Sequence, residues 1–149
     1  MKKIINPYDP PGCFFGGNLN PVGPRLIFQV AETNPDELIC RWTPPPVFSG
    51  YGNVLHGGIQ SGIFDETMGW TAYHRTGLAA ITASLSVEFL KPVLVEQEIE
   101  VRCRMESRLN SKAALSAEIR NESGEICSKA SGTFQLMEAD RLKRVMGQE

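Results

Sequence analysis

Apolar and polar residues change places along this chain with two different periods. From Glu98 to Glu106 the alternation is strict, with Ile99, Val101, Cys103 and Met105 on one face and mostly charges on the other. That is the period-2 pattern of a strand with one buried side. Ala113, Leu115, Ala117 and Ile119 repeat it, Asn121-Glu-Ser-Gly124 supplies a turn, and Ile126 to Met137 reads as a last long strand. Ala80 to Leu90 is another β-compatible run, closed off by Pro92. Leu26 to Ala31 and Leu38 to Thr43 read as two shorter strands; Pro44-Pro45-Pro46 ends the second, since proline cannot donate to a ladder. Between these groups Ile59, Ile63, Phe64, Met68, Trp70 and Tyr73 cover most of a helical wheel. A helix apolar nearly all round is a buried one, and Gly77 is its expected stop. Gly62 and Gly69 each cost roughly 1 kcal/mol inside a helix, so both are expected where a neighbouring backbone comes close. Arg141 to Met146 is expected to be a short helical or frayed tail.

The order is two strands, one buried helix and further strands joined by short connections. It predicts an α+β fold in which a curled antiparallel sheet wraps one long central helix. Residues 6–24, rich in Pro, Gly and Asn, form an arm that Phe14 and Phe15 pin to the body. The 149 residues suggest a single domain, 1–149.

Composition narrows the function classes. A formal net charge of −2 speaks against a nucleic-acid binder, which needs a basic face. The opening Lys-Lys-Ile-Ile stops at Asn6-Pro7, short of a secretory signal, and no run reaches the roughly 18 apolar residues of a membrane span. A cytoplasmic protein is expected. Cys13, Cys40, Cys103 and Cys127 form no C-x-x-C pair, and His56 and His74 complete no zinc pattern, so free thiols and no metal site are expected.

The chemistry concentrates between Gly50 and Glu66. Two glycines, Gly57 and Gly58, immediately precede the helix. Backbone N–H groups there lack intrahelical acceptors, the dipole favours negative charge, and the absent Cβ lets a carbonyl approach. Such a corner can stabilise the oxyanion of an acyl transfer. Asp65 lies about two turns on, roughly 10–12 Å along the axis from Gly57, a gap that a substrate or a partner subunit could span. Glu66 points about 100° away, so the two carboxylates should serve different sites. A Gly-Gly turn, a helical aspartate, a capping His56 and a strand-forming Thr82 each also have a purely structural reading.

Taken together, His56-Gly57-Gly58, Asp65 nine positions after the histidine, Thr82 at the next strand and Phe89-Leu-Lys-Pro92 resemble the acyl-CoA thioesterase branch of the hot-dog superfamily, the group related to phenylacetic-acid-pathway thioesterases. The arm, Cys13-Phe-Phe-Gly-Gly17 with Asn20-Pro21-Val-Gly23, is similar to one found in many members. The resemblance runs roughly from Cys13 to Met137. Two positions depart from it. Gly50 stands where many relatives have an Asn that helps hold the thioester carbonyl, with Asn53 a nearby substitute; Gly16 replaces the arm's second cysteine.

The resemblance implies hydrolysis of an acyl-CoA thioester without cofactor or metal. Gly57 N–H would polarise the carbonyl while Gly58 shapes the turn. Asp65 would act as general base or nucleophile, Thr82 would orient the water, and His56 would hold the loop. Phe64, Met68, Trp70 and Phe89 are candidates for an apolar acyl tunnel, though equally for core. Lys91, Arg108 and Lys112 are candidates for the coenzyme A phosphates. Hot-dog relatives pair sheets edge to edge, so a homodimer or homotetramer is expected. The rival reading is a non-catalytic acyl-CoA-binding or regulatory domain on the same fold. A hydratase is a third, disfavoured because Trp70 stands where an Asp-x-x-x-x-His segment would place its histidine.

Overall fold

A computed structural model describes residues 2–147. Its elements are β1 (Gln29–Val30), β2 (Leu38–Trp42), a short 3-10 turn (Pro46–Phe48), α1 (Gly57–Thr76), β3 (Ala79–Phe89), β4 (Ile99–Leu109), β5 (Lys112–Arg120), β6 (Ile126–Met137) and α2 (Ala139–Val145). The six strands make one antiparallel sheet in the order β1-β2-β4-β5-β6-β3, so β3 is an edge strand. The sheet's inner face packs on α1, as the alternation predicted: Ile99, Val101 and Cys103 from β4 and Ala113, Leu115, Ala117 and Ile119 from β5 are buried, while the residues between them face outward. The outward face of β4 and its neighbours carries ion pairs, among them Arg41–Glu100, Arg102–Glu37 and Arg120–Glu118. No helix among the described residues is long and apolar enough to cross a membrane.

α1 is capped at both ends by the means its sequence offers. His56 is the N-cap and its side chain accepts from Gly58 N–H; Gly77 closes the helix in the left-handed region at φ 72°, a conformation that glycine adopts at least cost. The sheet-facing side holds Ile63, Phe64, Met68 and Ala72, but also Gln60, Thr67 and Thr71. The threonines bury because their hydroxyls donate back to the carbonyls of Ile63 and Thr67, at 2.6 and 2.8 Å.

Four expectations need correction. Leu26 to Ala31 forms a ladder only at Gln29 and Val30. The backbone groups around them go to the folded-back amino terminus: Leu26 N–H donates to Phe15 O, Val30 N–H to Lys2 O, and Phe28 O accepts from Ile4 N–H. Gly62 is indeed a close-approach site, but the neighbour is a ring: a Cβ there would stand 1.9 Å from Phe15 Cζ. Gly69 has nothing within 4 Å of a Cβ, so close packing does not account for it. Of the two arm phenylalanines, Phe15 docks on the helix while Phe14 stays 40% exposed, in edge contact with Phe15. All four cysteines are free.

Candidate functional site

The loop from Ser49 to His56 is held from both sides. His56 N–H donates to Phe48 O, Leu55 N–H to Val93 O and Val95 N–H to Asn53 O. This fixes the entry of α1 against the segment after β3. At the entry, Gly58 N–H donates to His56 Nδ1 at 2.8 Å. That bond sets the imidazole tautomer: Nδ1 accepts, so the ring proton sits on Nε2. It also commits the Gly58 N–H. Gly57, as the first helical residue, has no intrahelical acceptor for its own N–H and is the donor left for a ligand. A Cβ on Gly57 would meet the Phe89 ring at 3.4 Å, so this corner lies at the far end of β3. Gly50 packs against His56, where a Cβ would stand 3.2 Å from Cδ2. Asn53 is exposed.

Two turns along α1, Asp65 meets β3. Thr82 Oγ1 donates a hydrogen bond to Asp65 Oδ1. A β-bulge makes this possible. β3 pairs with β6 as Thr82↔Phe134 and then Ser84↔Thr133, with Ala83 extra. Counting back by twos from the inward-facing Leu85 would put Ala83 inward and Thr82 outward; the extra residue turns Thr82 to the helix side. Asp65 and Thr82 open on a cleft of about 160 Å³ whose walls come from the arm, α1, β3, Phe134 of β6, and Leu142 and Met146 at the carboxyl end.

Glu66, the neighbouring acid, turns to the arm instead. Trp70 Nε1 donates to its carboxylate at 2.9 Å and to Asp9 Oδ2 at 3.2 Å, and Cys13 Sγ lies 3.5 Å from Glu66 Oε1. Burial first, then the charge and hydrogen bond of Asp9, push the Glu66 carboxyl up to about 7. Burial likewise pushes the Cys13 thiol up to about 11. Gly16 explains how two acids fit: a Cβ there would stand 2.4 Å from Asp9 Oδ2 and 2.8 Å from Glu66 Oε1. Donor atoms of Asp9, Cys13 and Glu66 lie within 4.8 Å of one another. Burial raises both the thiol and the carboxyl above their ordinary values, which opposes the deprotonation that metal ligation requires. This cluster was not foreseen from the sequence, because its partners lie 53 and 61 positions apart; only the extra acid on a buried helix signalled a need for partners.

The other candidates divide. Phe64 and Met68 are fully buried, Met68 against the space Gly132 leaves open, and so belong to the core rather than to an open tunnel. Phe89 is 54% exposed at the edge. The three cations do not converge within one chain. Lys91, ion-paired with Glu125, follows the Phe89 end of β3, whereas Lys112 pairs with Gln135 and so sits level with Ile81. Phe89 faces Ser128 on β6, and the step from Ser128 to Gln135 spans about 23 Å of strand. Arg108, whose Nε donates to Asn110 O, shares the Lys112 end.

Comparison with known proteins gives the following. The family model described as the thioesterase superfamily matches residues 52–128. Acyl-coenzyme A thioesterase THEM4 of Bos taurus is 26% identical over 104 residues, 69% of this chain and 42% of that protein. The chain thus spans less than half of that relative's length. The crystal structure of a thioesterase-superfamily protein superposes with a TM-score of 0.73 at 21% identity, over 80% of this chain and 61% of the other. The PaaI protein of E. coli, from the phenylacetic acid degradation operon, does so with a TM-score of 0.65 at 16% identity, over 69% and 74%. These superpositions show the hot-dog fold.

Proposed function

The chain belongs to the thioesterase superfamily, and on that premise we propose that it hydrolyses acyl-CoA thioesters to the free acid and coenzyme A. The observation that carries this reading is the hydrogen bond from Thr82 to Asp65 in an open cleft on the central helix. Thr82 occupies Asp65 Oδ1, which leaves Oδ2 to accept a proton from water or to attack the thioester carbon. The Gly57 N–H, at the positive end of α1, donates to the carbonyl oxygen as negative charge develops there. His56 holds the turn through Nδ1 and presents Nε2–H outward. Water adds to the carbonyl carbon, its proton passes to Asp65, and the C–S bond breaks to release the coenzyme A thiolate, which takes up a proton.

One chain cannot do this alone. Gly57 and Asp65 are about 12 Å apart along the helix, near opposite ends of β3, with the outer side of β3 unpaired. Antiparallel pairing of two β3 edges that sets Thr82 opposite Phe89 of the partner subunit brings the Gly57 corner of each chain to the Asp65 of the other. It also brings Lys91 to the Arg108–Lys112 end, gathering cations for the coenzyme A phosphates. The working unit is therefore a dimer or a larger assembly of dimers, and the half-exposed Phe89 and Leu90 at this edge are what such pairing covers.

Release of free thiol from a panel of acyl-CoAs tests the activity. Binding without turnover on every member points instead to a non-catalytic acyl-CoA-binding domain. Single-turnover hydrolysis in oxygen-18 water separates the two routes, because only direct attack labels Asp65 first.

A further inference from the structure

We propose that Leu142 and Met146, together with Gly69, set the size of the acyl group, and that the substrates are short-chain acyl thioesters. The proposal rests on the thioesterase reading above and names the substrate class of that same cleft. Beside Asp65 its inner wall includes small residues, Gly69 one turn on and Ala79 and Ala80 at the start of β3, with Glu66, Trp70 and Phe134 around them. Gly69 has open space where a side chain would go. Nothing in the packing requires glycine there, and helix propensity disfavours it; what it leaves is room beside the Asp65 carboxylate.

The outer wall is α2 and the residue after it. Leu142 and Met146 stand four apart, on one face of a helical turn, and both line the cleft. Yet α2 buries none of its residues, and Met146 is 54% exposed. An apolar pair that lines the same cleft as a carboxylate and stays partly in water has an unfilled partner. The acyl chain of a thioester whose carbonyl lies at Asp65 is continuous with that space. Asn6, Tyr8 and Asp9 of the arm form the remaining side. A volume of about 160 Å³ holds about five groups the size of a water molecule. It falls below the roughly 300–1,000 Å³ of ordinary ligand pockets. A chain of a few carbons fits inside the wall, and a long fatty acyl chain has either to displace the wall or to run out into water.

The test reads binding apart from turnover. Asp65→Asn protein is titrated with acetyl-, butyryl-, hexanoyl-, decanoyl- and palmitoyl-CoA, following the fluorescence of Trp70, which lines the cleft. Affinity is expected to rise to butyryl or hexanoyl and then fall. Adding Leu142→Ala and Met146→Ala raises affinity for decanoyl-CoA about tenfold relative to butyryl-CoA, the effect of admitting roughly two further methylenes. Gly69→Met, placed where there is open space, lowers hexanoyl-CoA affinity by a similar factor and spares acetyl-CoA. A chain-length profile that is flat, or that none of the three substitutions moves, overturns the proposal. If the profile shifts as expected but native protein releases no thiol from any acyl-CoA, the cleft assignment stands and the hydrolytic reading falls.

Discussion

Thr82 reaches Asp65 from a different element, β3 against α1, and gives it a hydroxyl hydrogen bond to one carboxylate oxygen. The bond fixes which oxygen is free. A carboxylate so oriented differs from Glu66 one residue on, whose oxygens are taken up by Trp70 and the arm.

Asp65→Asn is accordingly expected to abolish thiol release while keeping fold and substrate binding. Asparagine keeps the size and can still accept from Thr82, but it neither takes a proton at neutral pH nor attacks as a carboxylate. Loss of a general base costs about 10²–10⁴-fold in rate. Glu66→Gln is the control and should retain activity within a few-fold. Steady-state kinetics after circular dichroism of both variants checks this; an active Asp65→Asn beside a dead Glu66→Gln would move the site to Glu66.

Glu66 carries a pH dependence of its own. Its carboxyl ordinarily titrates at 4.5 and is raised to about 7 in the folded protein, first by burial and then by Asp9. The folded state therefore holds the proton more tightly than the unfolded one. The resulting contribution to stability is fully present below about pH 4.5, declines as pH rises from there, and is lost once pH passes about 7. Glu66→Gln keeps an acceptor for Trp70 and removes the charge beside Asp9. Its melting temperature is expected to gain on the native protein between pH 5 and pH 8. Parallel melting curves across that range would show that Glu66 does not hold its proton.

Gly62 and Phe15 give a sign-reversal experiment. Gly62→Ala gains up to about 1 kcal/mol of helix propensity but must displace the Phe15 ring. Losing that burial costs about 1.5–3 kcal/mol. The net effect should be destabilising by about 0.5–2 kcal/mol. With Phe15→Ala already present the same substitution should stabilise. Denaturant midpoints of the four proteins give the coupling; equal effects in both backgrounds would mean that the arm does not dock through Phe15.

The edge of β3 makes an assembly prediction. Light scattering at micromolar concentration should return at least twice the 16.4 kDa of one chain, because an unpaired strand of this length invites a partner. A mass near one chain would also remove the shared site proposed above.

Much of the architecture was legible because it depends on local period. β6 begins and ends at the predicted residues, β4 and β5 declared themselves by alternation, and α1 stops at the expected Gly77, although it starts at Gly57 rather than after the Gly57-Gly58 pair. What stayed hidden depends on contacts distant in sequence. The Leu26–Ala31 segment has the composition of a strand, but its backbone partners are arm residues. Gln60, Thr67 and Thr71 read as polar, yet their amide and hydroxyl groups donate to nearby carbonyls and they sit inside. The pairing of Thr82 with Asp65 was suggested by resemblance alone; the strand's own alternation counted Thr82 out.

That last mismatch has a consequence for how the chain tolerates change. The extra residue at Ala83 divides β3 into two runs of opposite parity, one ending in the hydroxyl that holds Asp65, the other carrying Leu85 and Val87 against the core. Either run can be rewritten without disturbing the phase of the other. A slip of one residue at the junction is different: with Ala83 opposite Phe134 and Thr82 opposite Gln135 the ladder could re-form in regular order, and the strand would then aim Thr82 at solvent. Here the irregular ladder is the reactive arrangement, and the regular one would be a well-folded protein with its acid left unsupported.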